Sequence, residues 1–223
     1  MTALPTSPSE LAADRALPLL GMVAYGELAA FTRLAADSAI APTLTDRLAL
    51  AGFAGHALDH VRRLDARIVE LGGAVNVTMD PFAGVLAEFD RRTEPSTWAE
   101  RMLKAYVGYG VSDDFSRILA GGVESTCRDL LLDVLSDHGH TAYVVDLLAE
   151  AGAADATLAP RLALWGRRLV GESLGVVQGV LAGHREIVAL LELVLPGDEP
   201  QQRLFAQLTA EHTRRMDRLG FAA

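Results

Sequence analysis

Apolar side chains recur every three or four residues along most of the chain, the spacing that places them on one face of an α-helix. In the first long segment this stripe is formed by Leu20, Val23, Leu28, Phe31 and Leu34. Paired glycines and proline-containing turns divide the rest of the chain into five further segments of the same kind. The pattern predicts six main helices, which we name A (17–38), B (45–71), C (97–119), D (124–151), E (160–195) and F (200–219).

The segment between helices B and C, residues 72–96, has a different composition, with two adjacent glycines, an asparagine and two prolines. It predicts a long connection that contains a short helix at about 82–91. A crossover of this length lets helix C run parallel to helix B. Residues 1–9, which contain Pro5 and Pro8, are predicted to form a loose arm.

The composition favours helices over sheets. Half of the 223 residues are hydrophobic, only 6% are aromatic, and Ala and Leu dominate. The length suits one large domain or two small ones. We therefore predict an all-α protein with a single domain over residues 1–223, in which a core bundle at about 15–152 is followed by a helical extension at about 158–220.

Charge and cysteine content limit the partners and the compartment. A formal net charge of −9 argues against broad nonspecific binding to nucleic acid or to anionic membranes. The single cysteine, Cys127, excludes an intramolecular disulfide and is expected to be a small buried thiol. No signal-peptide pattern and no uninterrupted apolar run of about 18 residues is visible, so we expect a soluble, cytoplasmic protein that has no membrane contact.

The candidate chemistry centres on helix D, where Asp137 and His140 are three residues apart. On a continuous helix this spacing puts a carboxylate and an imidazole on one face, as in bundles that hold iron or manganese between helices. Gly139, between them, is expected to allow a close approach of backbone or metal inside the helix. Since such a pair arises easily by chance, it gains weight only if other helices supply partners.

Three other helices supply such groups. They are Glu27 on helix A, His56, Asp59 and His60 on helix B, and Tyr109 and Asp113 on helix C. His56 and His60 are four residues apart, which places them on one face of a helix. On helix F, His212 directly follows Glu211, so the two side chains diverge by about 100° and are expected at the surface.

The order of these groups, their spacing and the long connection resemble the ferritin-like superfamily, and more narrowly the tRNA-(2-methylthio-N6-isopentenyladenosine) hydroxylase (MiaE) family. The resemblance covers roughly residues 15–152. It implies a ferritin-like four-helix bundle, here with two additional C-terminal helices. It also implies a di-iron centre that activates O₂ and hydroxylates the prenyl group of a modified adenosine in tRNA.

The resemblance further implies one acidic ligand on each of helices A and C and a Glu-x-x-His pair on each of helices B and D. Carried over residue by residue, Glu27 takes the helix A position and His60 the imidazole position of helix B. Asp137 and His140 take the pair on helix D, with Asp137 one methylene shorter than the usual Glu. Four of the six metal ligands are thus retained.

Two ligand positions depart from the family pattern. Ala57 stands where helix B has Glu, and the helix C position falls at Gly108 or Tyr109. With two of four carboxylates retained, a di-iron(II) load would leave about two uncompensated charges in a low-dielectric core. Additional ligands that could complete the site are His56, Asp59, Tyr109 and Asp113. The sequence is compatible with two iron ions, with one, or with an empty site.

From these observations we predict a metal-dependent oxygenase or hydroxylase in which iron is held by Glu27, His60, Asp137 and His140, with no catalytic residue assigned. Its substrate would be tRNA or a small molecule, and apolar surface on helices E and F predicts a homodimer. The alternative is a metal-free, catalytically silent ferritin-like bundle that acts as a structural or protein-interaction module.

Overall fold

The computed structural model describes residues 8–136 and 139–221, and within these ranges every regular element is helical. The α-helices are α1 (Pro8–Ala39), α2 (Leu44–Glu70), α3 (Val75–Met79), α4 (Ala87–Arg92), α5 (Trp98–Ala120), α6 (Ser125–Val134), α7 (His140–Ala154), α8 (Leu158–Gly183), α9 (Arg185–Val194) and α10 (Pro200–Arg218), with a 3₁₀ helix at Asp80–Phe82. The predicted all-α class is confirmed. Predicted helices A, B, C and F correspond to α1, α2, α5 and α10.

Predicted helix D is interrupted, because its residues form α6 and α7 with a break between them. Gly139 immediately precedes α7 and has a φ of 93°, a left-handed conformation that glycine adopts without steric cost. A Cβ atom at Gly139 would meet nothing within 4 Å. The expectation that this glycine lies inside a continuous helix and permits a close approach is therefore wrong. Gly139 instead adopts the left-handed backbone conformation at the position just before α7.

Predicted helix E is also two helices. α8 ends at Gly183 and α9 begins at Arg185, while His184 between them is extended with φ −128° and ψ 94°. The connection after α2 holds α3, the 3₁₀ helix and α4 rather than one short helix. Because α1 begins at Pro8, part of the predicted arm is helical, and residues 1–7 lie outside the described residues.

The described residues fall into two compact units, each assembled from separate stretches of chain. The first contains residues 8–83, 119–136 and 186–190, and the second contains residues 84–118, 139–185 and 191–221. Helices α1, α2, α3 and α6 belong to the first unit. Helices α4, α7, α8, α10 and most of α5 belong to the second. The prediction of a single domain over 1–223 stays a prediction.

The first unit is organised around α1 and α2, which pack along each other. Thr43 caps α2, since its hydroxyl oxygen accepts the N–H of Asp46 at 3.1 Å. The core between the two helices consists of side chains with no exposed surface, namely Leu19, Leu20, Leu50, Leu64 and Ile68. Burial of each such side chain contributes about 1.5–3 kcal/mol, which makes this apolar seam the main source of the unit's stability.

Arg67 joins α2 to α6 inside the first unit. Its guanidinium donates to the Glu124 carboxylate at 2.8 Å and to the Cys127 thiol sulfur at 3.3 Å. Glu124 also caps α6 by accepting the backbone N–H of Cys127 at 2.8 Å. Burial raises the pKa of the Cys127 thiol to about 11, so Cys127 is the buried structural thiol that the sequence predicts.

The second unit is held together by contacts between α5, α8 and α10. The Trp165 indole donates to the carbonyl of Glu100 at 3.1 Å, which links α8 to α5. Arg215 on α10 donates to the carbonyl of Gly110 at 2.8 Å and pairs with Asp114 at 2.5 Å. These are tertiary contacts between residues far apart in the chain, so the pattern along the sequence does not reveal them.

One helical segment among the described residues, Ala13–Ala39, is long and apolar enough by length and composition to cross a membrane. Helices α8 and α9 pass the same test only when taken together. Leu19, Leu20 and Ala24 of this segment are fully buried in the first unit, and about a third of its most apolar stretch is buried. The cytoplasmic location and the lack of a membrane contact stay predictions.

Candidate metal site

A carboxylate and an imidazole meet inside the first unit. Glu27 on α1 and His60 on α2 are joined by a contact of 3.0 Å between Oε2 of Glu27 and Nδ1 of His60. The side chains are 15% and 10% exposed, respectively. Two of the four ligands expected from the sequence are thus brought together between the two longest helices.

Local sequence explains why these two side chains face each other. His60 lies one turn after Ala57 and one turn before Leu64, and all three are buried on the face of α2 that packs in the core. Glu27 lies one turn after the fully buried Ala24 on α1. The small alanine side chains leave room for the larger polar pair between the helices.

The spacing of the pair fits either a hydrogen bond or a shared metal ion. Two neighbouring ligands in an octahedral site, each about 2.1 Å from the ion, are about 3.0 Å apart. Iron(II) accepts both imidazole nitrogen and carboxylate oxygen. Across residues 8–136 and 139–221, however, no three His, Cys, Asp or Glu side chains group in a way that could hold a metal ion. Among these residues, Glu27 and His60 are therefore two possible ligands without a third, and their role as ligands stays a prediction.

The two additional ligands proposed on α2, His56 and Asp59, are exposed. His56 is exposed, although it is one turn from His60. The Asp59 side chain is 62% exposed and pairs with Arg62 at 2.6 Å. His56 and His60 are one turn apart on α2, but only His60 is buried, and the role of His56 and Asp59 as ligands stays a prediction.

The sequence predicts the pair Asp137 and His140 inside one continuous helix. Asp137 lies outside the described residues, and His140 is the first residue of α7. With a break between α6 and α7, the argument that Asp137 and His140 share one face of a continuous helix does not hold. Their role as ligands stays a prediction that comes from the family resemblance.

Within the second unit, His140 lies beside a tyrosine of α5. The ring centroids of Tyr109 and His140 are 6.3 Å apart, with the ring planes inclined at 52°. Tyr109 and Asp113, one turn apart on α5, are both half-buried. The contact brings together two of the residues that the sequence singles out, and their possible role as ligands stays a prediction.

Residue types alone did not reveal two features of the second unit. Phe89 packs against Gly108, where a Cβ atom would come within 3.1 Å of the phenylalanine ring. His212, expected at the surface, is only 3% exposed. Burial and then the charge of Arg215 lower the pKa of His212 to about 4, so its imidazole is neutral near pH 7. The sequence contains one indication of this burial. His212 is spaced at intervals of four residues from Leu204, Leu208 and Met216, which places it on their apolar face of the helix.

A family model described as a ferritin-like domain of actinomycetes matches residues 13–194. The chain belongs to this family. The match covers all the helices from α2 to α9 and most of α1, and it confirms the ferritin-like bundle expected from the sequence. No curated protein matches the chain. The narrower resemblance to the tRNA hydroxylase family is not confirmed by this match and belongs to the proposal below.

Proposed function

We propose that the first unit holds a single divalent metal ion, iron in the first instance, through Glu27 and His60. The protein would then be a metal-dependent oxidoreductase with the ferritin-like fold. The observation that supports this is the part-buried contact of 3.0 Å between the Glu27 carboxylate and Nδ1 of His60. It occurs at two helix positions that the family resemblance assigns to ligands.

In this proposal each residue has a distinct task. Glu27 supplies a negative charge that offsets part of the charge of the ion, and His60 in its neutral form supplies an imidazole nitrogen. Buried Ala57 and Leu64 keep bulk water from the imidazole. Bound iron would supply the activation of dioxygen.

Glu27 and His60 alone are too few ligands for a catalytic metal site. Catalytic metal sites usually have three protein ligands, so Glu27 and His60 need at least one more. Asp137 is the predicted acid for this place. Hydroxylation of a prenylated adenosine in tRNA is a finer part of the proposal, and its only support is the resemblance to the hydroxylase family.

A second candidate function is the metal-free bundle that acts as a structural or protein-interaction module. It is favoured by the hydrogen bond itself, because an Nδ1–H group of His60 that donates to Glu27 satisfies both partners without an ion. It is also favoured by Ala57, which puts a methyl group where a metal-binding carboxylate is expected.

Glu27→Gln separates the two functions. Its amide oxygen can still accept a hydrogen bond from His60, but the charge that holds a cation is gone. If the proposal holds, the wild-type protein binds iron after anaerobic loading, and Glu27→Gln weakens binding by at least about tenfold. Glu70→Gln is the matched control, since it makes the same substitution at an exposed carboxylate of α2 and should leave iron binding unchanged.

The metal-free function makes the opposite prediction for the same proteins. Elemental analysis would find no stoichiometric iron in the wild type after loading, which refutes the metal proposal. Glu27→Gln would then melt within about 2 °C of the wild type, because the hydrogen bond survives. The homodimer and the tRNA or small-molecule substrate stay predictions, and light scattering of the purified protein tests the first of them.

A further inference from the structure

We propose that the first half of α2 docks, through its solvent-facing side, on the same surface of a second copy of this chain, with the two α2 helices antiparallel about a two-fold axis. This surface, which we call the outer α2 face, is formed by the exposed residues Leu44, Leu48, Ala51, Gly52 and Gly55. No metal ion is involved in this contact, so dimer formation and metal binding can succeed or fail separately.

Two large apolar side chains project from the outer α2 face into solvent. Leu44 is 70% exposed, and Leu48, one turn later, is 66% exposed. The charged residues between them lie off this face and are engaged by their own chain. The Asp46 carboxylate accepts a hydrogen bond from the hydroxyl of the N-cap threonine at 2.7 Å, and Arg47 donates to the carbonyl of Ala39 at 3.0 Å.

Charge divides the solvent-facing side of α2 into two halves. From residue 49 to residue 58 the chain has no Asp, Glu, Lys or Arg, although 22% of all its residues are charged. The later half carries Asp59 and Arg62, which pair at 2.6 Å, and Arg63, which pairs with Asp133 of α6 at 2.5 Å. Because the solvent side of a helix is normally charged or polar, an uncharged half with exposed leucines indicates contact with another apolar surface.

The same face contains hollows of the size that the two leucines need. Ala51, Gly52 and Gly55 are exposed, and among the described residues nothing lies within 4 Å of a Cβ atom placed on either glycine. Glycine weakens a helix interior relative to alanine, and the packing of the described chain does not require glycine at these two positions. A close approach by a second chain would require small residues there.

A face with both projections and hollows is complementary to itself. If a two-fold axis crosses α2 near the level of Leu50, Leu44 of one copy lies beside Gly55 of the other. In the same register Leu48 lies beside Gly52. Small residues at the contact let two helix axes approach to about 8 Å. The charged halves then extend beyond the contact in opposite directions, so that no unpaired charge is buried.

The sequence placed the dimer surface on predicted helices E and F, and the exposed side chains favour α2 instead. Within the described residues, helices α8, α9 and α10 expose two large apolar side chains, Leu164 and Leu193, which lie on different helices. Leu164 is flanked by exposed Arg161 one turn before it and by exposed Arg168 one turn after it. A two-fold contact there would bring like charges together, which the outer α2 face avoids.

The size of the outer α2 face sets the expected strength of the dimer. Residues 44–55 of a helix are about 18 Å long, and a helix with its side chains is about 10 Å wide. This footprint is smaller than the roughly 800 Å² that each partner buries in a stable complex. We therefore expect a reversible dimer with a Kd on the order of 100 μM, in equilibrium with the monomer.

Sedimentation velocity of the full-length protein from about 10 μM to about 1 mM measures this equilibrium. Leu48→Glu puts a carboxylate into the middle of the contact in both copies, and we expect the Kd to rise at least about a hundredfold. Leu164→Glu is the matched control, because it makes the same substitution at a leucine of α8 that is 64% exposed. It should leave the Kd unchanged.

Gly55→Gln tests the hollow itself. In a single chain there is room for its side chain, but in the dimer that side chain takes the place of Leu44 of the second copy. We expect the Kd to rise at least about tenfold. The monomer should melt no lower than the wild type, because Gln is a better helix former than Gly, which separates a docking defect from a folding defect.

Cysteines introduced on α2 test the antiparallel register. With the axis near residue 50, Ala51→Cys brings the two thiols close to each other. Val69 is 60% exposed and lies 19 residues from the axis, so Val69→Cys would place them about 57 Å apart. A short bismaleimide should therefore cross-link Ala51→Cys and not Val69→Cys. The native Cys127 is buried and should not react.

The results decide between docking and its absence. A reversible dimer that is weakened by Leu48→Glu and Gly55→Gln and cross-linked through Ala51→Cys supports the contact. A monomer at every concentration, a dimer that persists in Leu48→Glu, or equal cross-linking of both cysteine variants overturns it. The iron content of the wild type, measured separately by elemental analysis, tests the proposed function at Glu27 and His60 whatever the oligomeric state.

Discussion

Replacing Gly21 with Ala should destabilise the first unit, because the backbone of α3 occupies the space beside this glycine. A Cβ atom at Gly21 would lie 2.2 Å from the carbonyl oxygen of Thr78, and 2.6 Å and 2.8 Å from its Cγ2 and carbonyl carbon. These distances are shorter than non-bonded atoms tolerate. Since the nearest atom belongs to the backbone, a side-chain rotation cannot relieve the clash, and α3 has to move away from α1.

The size of the effect follows from two opposing contributions. Overpacking of a well-filled interior costs about 1–3 kcal/mol. Alanine is better than glycine in a helix interior by about 1 kcal/mol, which acts in the other direction. Gly26→Ala, five residues further along α1, has the same helix contribution, but its Cβ atom would meet nothing within 4 Å. The two variants should therefore differ by the steric cost alone.

Thermal and urea denaturation of the two variants, followed by circular dichroism, measure this difference. For a chain of this size about 1 kcal/mol corresponds to a shift of about 2–4 °C in Tm, so Gly21→Ala should melt about 2–12 °C below Gly26→Ala. Gly26→Ala itself should be at least as stable as the wild type. Equal stability of the two variants would refute the close packing of α3 on α1.

Two further predictions follow from perturbed pKa values. The pKa of His212 is lowered to about 4 from an ordinary value of 6.5, so between these limits the unfolded chain binds more protons and stability falls as the pH falls, by up to about 3 kcal/mol. Urea denaturation of the wild type should give a lower free energy of unfolding near pH 4.5 than near pH 7, and the difference should be smaller in His212→Gln. An equal difference in both proteins would contradict a neutral buried imidazole. Burial raises the pKa of Cys127 to about 11, so a thiol reagent at mildly alkaline pH should label Cys127 only after denaturation, and rapid labelling of the native protein would count against its enclosure.

Much of the local structure is predictable from neighbouring residues. The spacing of apolar positions locates α1, α2, α5 and α10, because a buried stripe every three or four residues is the main requirement for packing a helix. Caps are equally local. Thr97 is followed three residues later by Glu100, which is the pattern of a capping box. Thr97 Oγ1 accepts the N–H of Glu100 at 3.2 Å, and the Glu100 carboxylate accepts the N–H of Ser96 at 2.7 Å.

The helix breaks show where such local reasoning stops. Apolar periodicity continues through Gly139 and His184, so the sequence predicts one helix at each place where the structure has two. A helix tolerates a single glycine or histidine, so the local sequence is compatible with one helix or with two. Which of these forms depends on the contacts that the helices make with the rest of the fold.

For the candidate site, the sequence by itself determined which residues have side chains that could take part. Glu27 and His60 are chemically suited to a metal, and Ala57 is not, wherever they lie. Only the tertiary structure decided that His60 faces Glu27 while His56 faces solvent, that Phe89 fills the space beside Gly108, and that His212 is buried. The physical reason is that side-chain chemistry is a property of each residue, whereas burial and proximity depend on partners that lie tens of residues away and are brought near by packing.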